Sequence, residues 1–252
     1  FENITEVYHS AALVSFNPKD YKARRKINIE GTSNIVNLCI AKKVQKLCFV
    51  SSIGTIEKSI NNKIIDEEGE WNVEKNNYGY AITKYGAEME VWRASQEGVD
   101  VVIVNPGVIL GAGFWNAGSG VLFSKIYKGL QFYTEGITGF VAVKDVVIVM
   151  IRLMNSTNKN ERYILVSENV SFKNVFNQIA INFNKKEPSI KVTKWLSEIA
   201  WRLDWVKSFI TRRSPVLTKQ TAQSIHKKHF YSSEKIKKEL NFEFEPISKT
   251  VA

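Results

Sequence analysis

The chain has 252 residues, 44% hydrophobic and 24% charged, enough for one large α/β domain or a domain with a smaller second lobe. That balance excludes a disordered, collagen-like or disulfide-stapled chain, and no apolar run reaches the roughly 20 residues that a bilayer-spanning helix requires. The net charge of +10 is uneven, with 16 basic and 16 acidic side chains in residues 1–150 against 19 and 9 in residues 151–252; the basic ones lack interleaved aromatics, which argues against a nucleic-acid partner and for solvated faces.

The chain opens with Phe1, and its first residues run straight into an apolar strand end and a His9-Ser10-Ala11-Ala12 turn. The alternation of β and α patterns that follows reads as the middle and end of a parallel-sheet α/β domain whose first βαβ unit is missing from this chain. A helix is expected over residues 21–43, with Ile27, Ile35, Leu38 and Cys39 as its apolar face and Gly31 and Thr32 as a close-packing patch. Residues 47–51 (LCFVS) form a buried strand, and the polar, acidic residues 58–77 read as a surface excursion. Residues 80–96 are helical and Gly98 closes them. Residues 99–104 (VDVVIV) are β-branched on both faces and stop at Asn105-Pro106-Gly107, which implies a parallel strand covered by helices on two sides.

After Leu110 come a glycine-rich loop (GAGFWNAGSG), a helix near 121–128 and an extended stretch through Phe132 and Phe140. Residues 143–154 are expected to be helical, with Asp145 near the start where a carboxylate suits the helix dipole. A strand over 162–166 follows, then a helix through Phe183 capped by Ser171. The last 70 or so residues are helix-rich, and Trp195, Trp201 and Trp205 stand at helical spacing, which reads as a packing seam. Trp115 and Tyr133 are read as packing aromatics, with an apolar pocket as the alternative.

These patterns divide the chain into a dinucleotide-type domain over residues 1–110 and a mainly substrate-binding lobe over 111–252, with about 140–166 returning to the first. Cys39 and Cys48 lie in apolar runs and read as small hydrophobes, so neither a disulfide nor a metal site is expected. No signal peptide or membrane span is visible, and a cytoplasmic location is expected.

Three features carry chemistry. Tyr80 and Lys84 are four residues apart, hence on one helix face, where an ammonium can lower the pKa of a phenol and fit it to move a proton at a carbonyl or alcohol. Ser51 and Ser52 stand at the carboxyl end of a buried strand, where open α/β sheets place their ligands. Asn105-Pro106-Gly107 ends the strongest strand with a residue lacking an amide proton and one that admits a flat ligand. A chance helical pair, a turn serine, a strand stop and, for His9, a structural histidine are the plain alternatives. No Gly-x-Ser-x-Gly elbow occurs, and His9, His226 and His229 have no evident carboxylate partner in sequence, which sets acyl transfer aside.

In this order and spacing, the His9–Ala12 turn, Asn28-Ile29-Glu30-Gly31-Thr32-Ser33-Asn34, Ser51-Ser52, Tyr80 with Lys84 and Asn105-Pro106-Gly107 resemble the extended short-chain dehydrogenase/reductase superfamily, the NAD-dependent epimerase/dehydratase family, over about residues 7–250. The Val50-Ser51-Ser52-Ile53-Gly54-Thr55 turn, the stretch from Asn105 to Gly111 and the tail Lys237-Lys238-Glu239-Leu240-Asn241-Phe242 look like its dihydroflavonol-reductase and 3β-hydroxysteroid-dehydrogenase-like branch. The resemblance implies a Rossmann-type fold and hydride transfer between NADP or NAD, with NADP favoured, and a carbonyl or secondary alcohol of a small-molecule substrate. It makes Tyr80 the acid–base residue, has Lys84 lower its pKa and hold the nicotinamide ribose, and has Ser52 bind the reacting oxygen. It sets Pro106, Gly107 and Val108 against the nicotinamide, puts His9, Ala11, Ala12 and Ser51 along the cofactor, and suggests a homodimer through the helices carrying Asn28 and Tyr80. One departure stands out: the glycine-rich fingerprint, due roughly 60 to 70 residues before His9, is absent, and with it the residue that selects NAD or NADP. A nucleotide-sugar epimerase or dehydratase with retained NAD and a basic clamp near Arg212-Arg213, or a non-catalytic cofactor-sensing protein, are the competing readings.

Overall fold

Runs of β-branched residues alternate with helical periods, and the computed structural model describes residues 2–57, 63–72, 79–211, 215 and 217–252. In chain order these form β1 (Glu6–His9), α1 (Tyr21–Arg24), a π-helical turn over Arg25–Glu30, α2 (Gly31–Ala41) and β2 (Lys46–Val50). A 3-10 turn over Ile53–Thr55, α3 (Gly79–Gln96), β3 (Asp100–Pro106), β4 (Val108–Leu110), α4 (Gly120–Tyr127), β5 (Phe132–Tyr133) and β6 (Ile137–Ala142) follow. Then come α5 (Val143–Met154), β7 (Glu161–Leu165), β8 (Glu168–Ser171), α6 (Phe172–Asn182) and β9 (Ile190–Lys191). The chain ends in α7 (Lys194–Thr211), α8 (Lys219–Ser224), α9 (Glu234–Leu240) and α10 (Ile247–Thr250). They belong to two compact units, the first made of Phe1–Gly107, Lys144–Val166 and Ser232–Glu243, the second of Val108–Val143, Ser167–Tyr231 and Phe244–Ala252.

The first unit carries a parallel sheet in the order β1-β2-β3-β7. Parallel strands need cover on both faces, and β3 meets that need with side chains buried alternately to each side. Val101 and Ile103 join Leu47 and Phe49 of β2 in a core with Val36 and Cys39 of α2 and Ala87 and Val91 of α3. Cys48, Val102 and Val104, which alternate with them, are also fully buried. Each such aliphatic side chain contributes about 1.5–3 kcal/mol relative to exposure. Both cysteines are free and buried, and burial pushes the Cys48 thiol up to about 12, which leaves it inert.

The helix over residues 21–41 departs from its expected face. Ile27 and Leu38 are 46% and 41% exposed, while Arg24, Asn28, Thr32, Val36 and Cys39 are buried. Three successive steps of four residues would drift about 120° around a regular α-helix. The wider π turn at Arg25–Glu30 takes up that drift and keeps a polar stripe, Arg24-Asn28-Thr32, turned inward. Gly86 admits the close approach of α3 to this turn, since a Cβ there would lie 2.7 Å from Ile29 Cδ1. Gly98, at φ +91°, closes α3 as expected.

The stretch 58–77 is also more than a surface excursion. Residues 58–62 and 73–78 lie outside the described residues, but Ile65 is 3% exposed, and the Arg162 guanidinium donates to the carbonyls of Glu67 (2.6 Å) and Gly69 (2.8 Å). A segment anchored through its backbone carbonyls needs no hydrophobic period, which is why none shows in the sequence.

The second unit holds a three-stranded sheet, β4-β6-β8, in which β4 runs parallel and β8 antiparallel to β6, and a short parallel pair of β5 and β9. Its core gathers Leu110, Phe123, Ile126, Phe140, Val175 and Ile179. Ser171 caps α6 as expected, its hydroxyl accepting from the Asn174 amide at 3.2 Å. The tryptophans of α7 do not form the expected seam: Trp195 is 70% and Trp205 59% exposed, and Ser197 and Ser208 are the buried residues of that helix.

Lys46 ties the first sheet to a helix end. Its Nζ, buried beside β2, donates to the carbonyls of Leu153 (2.6 Å) and Ser156 (2.8 Å) at the C-terminus of α5, where orphan carbonyls and the helix dipole both favour a cation. Lys46→Met leaves those carbonyls without their donor and is expected to lower unfolding stability by about 1–3 kcal/mol, read from the midpoint of a urea titration.

Candidate active site

The carboxyl ends of the parallel strands β1, β2 and β3 bring His9, Ser51 and Pro106 to one end of the sheet, with Ser51 fixed by its amide donating to the Val104 carbonyl at 2.7 Å. Ser52 follows in extended geometry (φ −163°, ψ 150°) and caps the 3-10 turn, its Oγ accepting from the Gly54 amide at 3.1 Å. The same hydroxyl shares a hydrogen bond with the Tyr80 phenol. Lys84, one turn further along α3 and 2% exposed, donates from Nζ to the Val50 carbonyl at 2.6 Å and lies 4.3 Å from the centre of the Phe49 ring. Ser52, Tyr80 and Lys84 are therefore brought together at the end of β2.

Burial dominates the electrostatics here. It raises the Tyr80 phenol above its ordinary value, and the Ser52 hydrogen bond pulls only partly the other way. The lowering by an adjacent lysine, expected from the sequence, is not what decides the direction. Burial also brings Lys84 down to about 8, with the charge of Glu88 opposing that fall.

Glu88 is fully buried one further turn along α3. Its Oε2 accepts from Ser51 Oγ (2.5 Å), Thr55 Oγ1 (2.8 Å) and Asn105 Nδ2 (3.1 Å), and its Oε1 faces Arg162 Nη1 at 3.5 Å. Sequence reasoning passed over Glu88, although Tyr80, Lys84 and Glu88 form a stripe at intervals of four on one helix face. It also passed over Asn28 as a positioning residue. Asn28 Oδ1 accepts from the Leu13 amide (2.7 Å), and its Nδ2 donates to the Leu13 carbonyl and Thr83 Oγ1, both at 3.2 Å, tying the segment after β1 to α3. An asparagine between Arg24 and Thr32 on a helix otherwise offering apolar choices was the available signal.

The remaining predicted residues fall into place unevenly. Ser51 serves Glu88 rather than open space. His9 is 7% exposed, its Nε2 2.9 Å from Thr32 Oγ1, and burial reinforced by the Lys84 charge holds its pKa below the usual value, so it is a neutral, fixed side chain. Ala11 is exposed and Ala12 half-buried in the irregular segment after β1. Pro106 is the buried last residue of β3, opposite Leu165, and the Gly107 amide donates to the Leu165 carbonyl at 3.0 Å. Val108 opens β4 in the second unit. Arg212 and Arg213 lie outside the described residues. Within the second unit Trp115 lines a cavity of about 280 Å³ with Phe123, Tyr127 and Phe183, to which Tyr133 does not contribute.

Comparison with known proteins gives the family. The NAD-binding family model described as Male sterility protein matches residues 1–160. A putative dihydroflavonol 4-reductase of Synechocystis sp. is 26% identical over 255 residues, covering 98% of this chain and 74% of that protein. Cinnamoyl-CoA reductase 2 of Medicago truncatula is 28% identical over 168 residues, 63% of this chain and 49% of the plant protein, so the chain spans only part of the length of either relative. The crystal structure of gox2253 shares the fold, with a TM-score of 0.81 at 24% identity over 99% of this chain and 76% of that one. With more than half its length matched by the family model, the chain is a member of that NAD-binding family and, with it, of the extended short-chain dehydrogenase/reductase superfamily of NAD(P)-dependent reductases and epimerases.

Proposed function

We propose that this chain carries the catalytic set of an NAD(P)-dependent reductase acting on a carbonyl or secondary alcohol of a small organic molecule, with Tyr80 as acid–base residue, Ser52 as the donor to the reacting oxygen and Lys84 as the supporting cation. The observation that carries the reading is the Ser52–Tyr80 hydrogen bond with Lys84 one turn away, at the carboxyl end of a parallel sheet. The donor set suits a nicotinamide nucleotide: an ammonium with three N–H groups, one directed at Val50, has donors for a ribose diol beside a phenol and a hydroxyl that can share a substrate oxygen. The nicotinamide supplies or accepts the hydride when it is bound.

The protein's own part is proton delivery and placement. Burial that raises the Tyr80 phenol keeps it protonated near neutral pH, the state needed to donate to a carbonyl oxygen as negative charge develops there. Ser52, held in extended geometry by its cap on the 3-10 turn, presents its hydroxyl to that same oxygen. Lys84 stabilises the phenolate left behind, provided it still carries its proton. Gly107, partly exposed just after β3, leaves room without side-chain bulk for a flat ring beside the buried Pro106. The printed names of the two curated relatives, a dihydroflavonol reductase and a cinnamoyl-CoA reductase, favour reduction of a carbonyl compound over epimerisation of a nucleotide sugar.

Three outcomes test this in the whole protein. Tyr80→Phe should reduce turnover at least about 100-fold with an unchanged far-ultraviolet circular dichroism spectrum, because the ring stays and only the proton donor goes. Retention of more than a few per cent of the activity contradicts the assigned role. The rate of carbonyl reduction should be level on the acid side of pH 8 and fall above it, as Lys84, poised at about 8, gives up its proton. Glu88 holds Lys84 up against desolvation, so Glu88→Gln should move the alkaline limb to lower pH. An alkaline limb in the same place for both proteins means that another group sets it.

A further inference from the structure

The 18-residue helix α7 is amphipathic in the opposite sense to a packed helix. The side it turns inward is mostly polar: Ser197 and Ser208 are 1% and 8% exposed, with Trp201 and Asp204 half-buried between them on the same stripe. These groups are satisfied within the second unit, Ser197 Oγ lying 2.6 Å from His226 Nε2 and Asp204 Oδ2 accepting from the Leu217 amide at 2.8 Å. The outward side is mostly apolar. Trp195 is 70% exposed, Leu203 65%, Trp205 59%, Val206 46%, Phe209 76% and Ile210 73%. At about 100° per residue these six residues lie, with Ile199, in an arc of about 160° that also holds the Glu198–Arg202 ion pair (2.7 Å) near its middle, with Lys194 and Lys207 at its two margins.

An exposed patch of this size needs a cover, and two observations identify its chemistry. The second unit carries 15 Lys and Arg against 6 Asp and Glu, a net +9, nearly all the charge of the chain. That charge opposes the close approach of a second copy of the unit and favours an anionic surface. Tryptophans beside aliphatic residues, with lysines along the rim, match a bilayer interface, where indole rings sit at headgroup depth and lysine stems reach outward to phosphate. Among the described residues no helix is long and apolar enough to cross a membrane, so α7 would lie along the surface. We propose that the outward face of α7 docks the protein onto an anionic lipid bilayer, its mostly apolar arc entering the headgroup region and Lys194 and Lys207 at its margins reaching the lipid phosphates.

The test is co-sedimentation of the whole protein with vesicles of phosphatidylcholine alone and of phosphatidylcholine with about 30 mol% phosphatidylglycerol. At least tenfold stronger partition onto the anionic vesicles is expected, weakening as salt rises from about 0.1 to about 0.5 M and accompanied by a blue shift of tryptophan emission. The double variant Leu203→Glu with Phe209→Glu, at two exposed positions, should lose at least tenfold of that partition with its thermal transition unchanged. Should that variant not fold, Lys207→Glu removes one margin charge without touching the apolar arc and should lower partition severalfold. Equal binding to neutral vesicles, failure to bind either kind, or undiminished binding by the variants overturns the proposal. So does a dimer in sedimentation equilibrium that the double variant dissolves while the parent ignores vesicles, which assigns the face to self-association.

Discussion

A carboxylate without solvent contact holds the carboxyl end of the first unit's sheet together. Glu88 lies within hydrogen-bond reach of groups from the end of β2, the following 3-10 turn and β3, and it faces an arginine of β7. Burying a charge is costly unless donors surround it, and three donors plus a guanidinium meet that condition here. The arrangement fixes Ser51 and so the direction in which the chain leaves β2, which in turn sets Ser52 against Tyr80. It also places a negative charge one helical turn from Lys84 in a dry environment, where such a charge acts most strongly. Fold and candidate chemistry thus share one anchor.

A second constraint comes from the widened turn in the helix over residues 21–41. Without it, the polar stripe from Arg24 to Thr32 would rotate away from the sheet, and Asn28 would lose its grip on Leu13 and Thr83. Thr83 in turn donates to the Tyr80 carbonyl at 3.0 Å, so the backbone of the proposed acid–base residue is braced from the side opposite to Glu88. π turns cost hydrogen-bond geometry and recur at functional positions, which agrees with its place here.

Much of this was legible in the sequence, though unevenly. The VDVVIV run identified a parallel, doubly covered strand because its β-branched residues left no polar face, and the four-residue step from Tyr80 to Lys84 put both on one side of a helix. Glu88 was not legible, since a glutamate at a helical position is ordinarily solvated and the groups that bury it lie 17 to 74 residues away in the chain. The buried face of residues 21–41 escaped because periodic counting assumes a uniform helix, and the π turn breaks that assumption. In α7 the spacing of Trp195, Trp201 and Trp205 suggested one seam, whereas Trp201 stands on the inward stripe and the other two are exposed. What the spacing could not supply was the side on which the rest of the unit sits, and the tryptophans were accordingly read as packing.

The first unit is assembled from three separated stretches of chain, with β7 reaching the sheet from Glu161–Leu165 and α9 arriving only at Glu234–Leu240. During synthesis, which proceeds at about 5–20 residues per second, β3 must wait with one edge open while the next fifty or so residues emerge. Arg162, the cation that faces Glu88, arrives on that same late strand. The nascent chain therefore carries an open, β-branched sheet edge and a buried acid short of its counterion for several seconds. Until β7 pairs, that edge offers unpaired backbone groups to any neighbouring strand.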